Sequence, residues 1–80
     1  MIYTMENELL KKNSRTEWVN IINEWVLGRN AQRDRDILIR CVVDGSITYE
    51  RIAEEYAIEK RQVDRIVKKR INELIPHIKF

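Results

Sequence analysis

Between residues 48 and 67 a short apolar stripe at helical spacing occurs twice, with room only for a tight turn between the two. Ile52 and Ala53 belong to the first segment, Ala57 and Ile58 fall at the turn, and Val63 and Ile66 belong to the second. Recurrence at three and four residues places apolar groups on one face of a helix. Ala53 is small enough to let a second helix cross close by. Lys60, Arg61, Gln62, Asp64 and Arg65 lie between the anchors of the second segment and are left to face outward. Basic and amide side chains are the ones best suited to hydrogen-bond phosphates and purine edges. The pattern predicts a helix-turn-helix whose second helix is strongly basic.

Charge distribution points the same way. The chain has 80 residues and a net charge of +2, too small to imply a polyanion partner by itself. Residues 1–58, however, hold eight basic and ten acidic side chains, whereas residues 59–80 hold seven basic and three acidic. Positive charge is thus concentrated on the second helix and its continuation. Eighty residues are expected to form a single domain with a modest core.

Chemistry that needs convergent groups is poorly served. Cys41 is the only cysteine and His77 the only histidine, and no Gly-rich phosphate loop or metal-ligand spacing is present. Cys41 lies in an apolar run and is expected to be a buried thiol. His77 is expected to be a solvated surface group. Glu54 and Glu55 are adjacent on a helix, point in different directions, and read as a solvated face. The sequence therefore predicts no enzyme, no metal and no cofactor. A lone cysteine fits a reducing compartment, no apolar stretch approaches the ~20 residues that span a bilayer, and the N-terminus lacks the pattern of a secretory signal. The cytoplasm is the expected location.

The remaining elements follow from caps and periodicity. Residues 4–12 are expected to form an arm or short helix with Met5, Leu9 and Leu10 on its apolar side. Ser14 followed by Glu17 has the spacing of a capping box. A helix is expected from there to about Leu27, with Trp18, Ile21, Ile22 and Trp25 on its buried face and Gly28 as its C-terminal cap. Asn30 is placed as the N-cap of a third helix reaching Asp44. Its buried face is Ile37, Leu38, Cys41 and Val42, and its wet side is Arg33, Asp34, Arg35, Asp36 and Arg40. Gly45 stops it, and Thr48 caps the next helix. Glu59 begins the last helix, where an acidic group complements the dipole. Val63, Ile66, Val67, Ile71 and Leu74 form its apolar stripe, and its far end is expected to pack on the Trp18–Trp25 face before Pro76 ends it.

A basic helix face is often only a solvated one. Here acidic groups that would neutralise it are sparse. Asp64 is within reach of Lys60 or Lys68, but Arg61 and Arg65 have no such partner inside the helix.

Residues 30–74 resemble region 4 of sigma-70-type RNA polymerase sigma factors. The residues that carry the resemblance are Arg33, Asp34, Arg35, Asp36, Ile37 and Leu38, then Asp44 and Gly45, then Thr48 through Tyr56, and finally Val63, Ile66, Lys68 and Lys69. The output domains of response regulators share the general pattern. The resemblance implies a supporting helix followed by a helix-turn-helix whose last helix reads promoter DNA in the major groove. It places Lys60, Arg61, Asp64 and Arg65 at base or adjacent phosphate contacts, and Thr48 and Lys69 near phosphates. It also implies RNA polymerase as a partner. The chain departs from the family pattern in Glu59 for a Ser or Thr cap, Ala57 for a turn Gly, and Asp64 for an Arg, so its preferred DNA sequence should differ. A region that melts promoter DNA is lacking, which makes the chain resemble a free-standing region 4 and not a complete sigma factor.

The resulting expectation is an all-α bundle of four to five helices that contains a helix-turn-helix and binds double-stranded DNA as a transcription regulator. Lys60, Arg61, Gln62, Asp64 and Arg65 are the expected base contacts, and Thr48, Tyr49, Lys68 and Lys69 the expected phosphate contacts. The alternative is a protein-interaction module for RNA polymerase or another regulator, with weak DNA affinity. A homodimer is left open.

Overall fold

A computed structural model describes residues 14–77. The expected helix over residues 4–12 and the tail beyond His77 lie outside the described residues. Within them the chain is all helical, with no strand. Helix α1 spans Arg15–Trp25 and α2 spans Ala31–Ile37, continuing through wider π-type turns over Leu38–Val43. Helix α3 spans Tyr49–Tyr56, α4 spans Lys60–Leu74, and a 3₁₀ turn, Ile75–His77, ends the described chain.

The helix starts obey local chemistry. Ser14 Oγ accepts from the Glu17 N–H at 3.2 Å while Glu17 Oε1 accepts from the Ser14 N–H at 3.1 Å, the reciprocal capping box. Thr48 Oγ1 accepts from the Arg51 N–H at 3.2 Å. Asn30 precedes α2 as expected, but it sits at φ 62° and its side chain caps nothing. Asn tolerates that left-handed conformation better than most residues.

Helix α1 ends at Trp25, earlier than its periodicity suggests, and its C-cap is Val26 and not Gly28. Helix α2 continues toward Asp44, but its last turns widen, with Asp44 N–H donating to Ile39 O at 2.9 Å. This i→i+5 spacing shifts side chains off the α-helical register. Ile37 and Leu38 are buried, whereas Cys41 and Val42 are only half-buried. Burial nevertheless pushes the Cys41 thiol up to about 11.

All four helices contribute to one core. Trp18, Ile22 and Val26 meet Ile37, Leu38, Ile52, Ala53, Val63, Ile66, Val67, Ile71 and Leu74. The five-residue stripe of α4 is buried as its periodicity predicts, and α4 packs on α1, α2 and α3.

Two expectations are corrected. Asp34 is not on a wet side of α2 but buried, paired with Arg70, which interrupts the apolar stripe of α4. Its neighbours Arg33, Arg35, Asp36 and Arg40 are half-buried. Trp25 is not in the core but 39% exposed. His77 is exposed, yet its ring stacks on that of Trp25 with centroids 3.7 Å apart and planes 4° from parallel. The α1 helix stops at Trp25, so its last side chain lies at the rim and not over the core.

Candidate nucleic-acid interface

The geometry of α3, the turn and α4 decides which side chains face outward. Helix α3 ends in a Schellman-type closure: Ile58 N–H donates to Ala53 O at 3.0 Å and Ala57 N–H to Glu54 O at 3.2 Å. The residue that must turn left-handed is Ala57, at φ 55°. Glycine serves that position without a Cβ penalty, so the alanine carries local strain. Ile58 packs against the core, and Glu59 resumes an extended conformation before α4 begins. Three residues thus separate the two helices.

Ala53, 4% exposed, and Ile52, fully buried, meet α4 at Val63, Ile66 and Val67. A helix that buries positions 63, 66, 67, 70, 71 and 74 must turn 61, 65, 68, 69 and 72 the other way at 3.6 residues per turn. Arg61, Arg65, Lys68 and Lys69 are all exposed on that side, and Gln62 is exposed at its flank. From Arg61 to Lys69 the ridge runs ~12 Å along the helix axis. Lys60 is exposed in the first turn, and Asp64 is half-buried at the flank. The structure therefore brings most of the expected base-contacting residues, together with Lys68 and Lys69, onto one accessible helix.

Thr48 and Tyr49 belong to the start of α3 and not to this ridge. The Thr48 oxygen is engaged in capping, leaving its hydroxyl proton as the group for an outside acceptor. Tyr49 is half-buried against the core.

Two acids temper the positive face. Asp64 Oδ2 lies 3.0 Å from Lys68 Nζ, one of the two pairings its spacing allows. Glu59 Oε2 lies 2.6 Å from Arg61 Nε, a partner that stands just outside the helix. Exposed pairs of this kind are worth about 0–1 kcal/mol, so neither withdraws its cation from an outside acceptor. No ion pair among the described residues engages Lys60, Arg65 or Lys69.

Behind the face, polar clamps fix α4 and α3. Arg70 Nε donates to Asp34 Oδ2 at 2.7 Å, and its Nη atoms donate to Leu27 O at 2.9 Å, Glu73 Oε1 at 2.9 Å and Arg29 O at 3.2 Å. Arg40 donates to Asp36 at 3.1 Å and to both oxygens of Glu55 at 2.7 and 3.0 Å. Tyr56 Oη donates to Asp36 Oδ2 at 2.6 Å. The hydrogen bond from Arg40 holds the Glu55 carboxyl below its ordinary range.

Among the described residues no His, Cys, Asp or Glu group is arranged to hold a metal ion, and no helix is long and apolar enough to cross a membrane. In comparisons with known proteins, no family model, curated relative or solved structure matches the chain.

Proposed function

We propose that the protein binds double-stranded DNA in a sequence-dependent manner and acts as a transcription regulator. One observation carries this reading: α4 buries one side and offers Arg61, Arg65, Lys68 and Lys69 on the other, with Gln62 exposed at the flank, on a helix held from behind by Arg70. A helix so placed matches the width of a major groove. Arg61 and Arg65 suit guanine O6 and N7, Gln62 suits adenine N6 and N7, and Lys68 and Lys69 suit phosphate.

The test is selection of bound sites from random duplex DNA, followed by titration of a selected duplex at several salt concentrations. Each phosphate neutralised should add about 0.9 to the slope of log affinity against log salt. Absence of salt-sensitive duplex binding would overturn the reading.

A protein-interaction module, with RNA polymerase or another regulator as its target, is the second reading. It is favoured by Trp25 at 39% exposure and Leu27 at 55%, two large apolar side chains at the end of α1 and just beyond. A module of that kind would lose its partner on Trp25→Ala and keep it on Arg65→Ala.

A further inference from the structure

Glu59 occupies the cap of α4 without capping it. Its backbone carbonyl accepts from Gln62 and Val63 N–H at 2.9 and 3.2 Å. Its side chain makes no capping bond. Ser14 and Thr48 both do so at the starts of α1 and α3, and a residue of that type at position 59 would cap the helix better. The carboxylate instead lies against the Nε edge of Arg61, with both side chains largely in solvent, 68% and 76% exposed. The pair contributes nothing to the core. Near a phosphate backbone the negative charge opposes binding. The helix dipole favours an acidic group at this end of α4, but that favour does not require the contact with Arg61.

We infer that Glu59 is a positioning residue for Arg61. With the carboxylate at Nε, the two Nη nitrogens keep their donors for an outside acceptor. Together they can donate two parallel hydrogen bonds to guanine O6 and N7. A guanidinium already oriented has less side-chain freedom to lose on contact. Glu59 thereby sets how strongly Arg61 discriminates guanine while lowering affinity for every sequence alike. The inference rests on the DNA reading proposed above.

The experiment compares wild type, Glu59→Gln and Arg61→Ala on a selected duplex and on its three single-base substitutions at the position where Arg61→Ala loses discrimination. Melting curves first establish that the variants are equally folded, as expected for exposed groups. Glu59→Gln should bind the substituted duplexes at least as well as wild type does. Its guanine preference at that one position should fall about fivefold toward that of Arg61→Ala, within the range a bidentate contact supplies. If Glu59→Gln strengthens binding to all four duplexes with the preference unchanged, the carboxylate acts by repulsion alone and the positioning role is overturned. The role is equally overturned if Arg61→Ala alters no base preference. Wild-type protein without salt-sensitive duplex binding would overturn the DNA reading, and the positioning role with it.

Discussion

Arg70 Nε and Asp34 Oδ2 lie 2.7 Å apart, and each side chain is 6% exposed. Burial works against the charged guanidinium, but hydrogen bonds to Asp34 and Glu73 more than offset it, and the Arg70 pKa is raised. The same guanidinium holds the carbonyls of Leu27 and Arg29. One side chain of α4 therefore secures α2 and the segment joining α1 to α2. The rotation of α4 about its own axis is thereby fixed, and so is the set of side chains it turns outward.

Breaking this pair on one side should be severe. Asp34→Ala leaves the buried guanidinium with Glu73 as its one acidic partner, and Arg70→Met leaves the buried carboxylate with Arg33 alone; each should cost about 3 kcal/mol, the low end for breaking a buried pair. The double variant Asp34→Leu with Arg70→Met should cost clearly less than the sum, because both buried charges are removed together and the partners left behind, Arg33 and Glu73, are the more exposed ones. Urea denaturation of the three variants measures both quantities, and strict additivity would show that the two groups do not act as a unit.

The reasons why sequence revealed one part of this fold and hid another are visible in the same residues. Ser14 with Glu17, and the stripe Val63, Ile66, Val67, Ile71 and Leu74, are local signals, each complete within a turn or two of helix. Asp34 and Arg70 meet across 36 residues of chain, and charged side chains are rarely fully buried unless paired. A trace was nonetheless present. Arg70 stands three residues after Val67 and four before Leu74, in the middle of the buried face. Asp34 stands three and four before Ile37 and Leu38. A charge inside an apolar stripe on each of two helices is the pattern of a buried pair. In the candidate interface the outward set of α4 follows directly from periodicity, whereas the Glu59–Arg61 pair depends on a cap side chain turning away from its own helix.

Trp18 and Trp25 share a helical face by spacing but should differ in consequence. Trp18 is 5% exposed within the core, and Trp18→Ala should cost about 3–5 kcal/mol. Trp25 loses its stack on His77 and the burial of only part of its surface, so Trp25→Ala should cost clearly less than Trp18→Ala. Chemical denaturation monitored by circular dichroism compares the two without relying on the Trp signal. Equal losses would contradict the exposed placement of Trp25.

The hydrogen bond to Asp36, helped by burial, pushes the Tyr56 phenol up to about 12. A folded-state pKa above the unfolded value of about 10 favours the protonated phenol in the native state. That contribution is fully present below pH ~10 and is lost as pH rises through about 12. The stability gap between wild type and Tyr56→Phe should therefore be constant from neutral pH to about 10 and shrink beyond it. Denaturation across that range tests the sign, since the other tyrosines contribute equally to both proteins.

Ala53 lies at the contact of α3 with α4, 4% exposed. Ala53→Glu would bury an unpaired charge and should cost on the order of 3 kcal/mol or more. A thermal melt that matches wild type would mean that the two helices are not pressed together at this position.

Arg65 and Lys69 are four residues apart, so they project from neighbouring turns of the exposed side of α4. They differ in what they can offer DNA. Arg65 presents a planar fork that can hold two acceptors of one guanine, a contact worth roughly 1–3 kcal/mol of discrimination. Lys69 presents a compact charge suited to phosphate, which every sequence supplies equally. Arg65→Ala should therefore relax base preference at one position of a selected site. Lys69→Ala should weaken all duplexes alike and lower the salt slope by about one. Neither residue enters an ion pair among the described residues, so neither variant leaves a stranded acid and both should melt as wild type does. Titration of matched and singly substituted duplexes at several salt concentrations separates the two effects. If both variants bind as tightly and as selectively as wild type, α4 is not the reading element, and the surface around Trp25 and Leu27 becomes the leading candidate for partner binding.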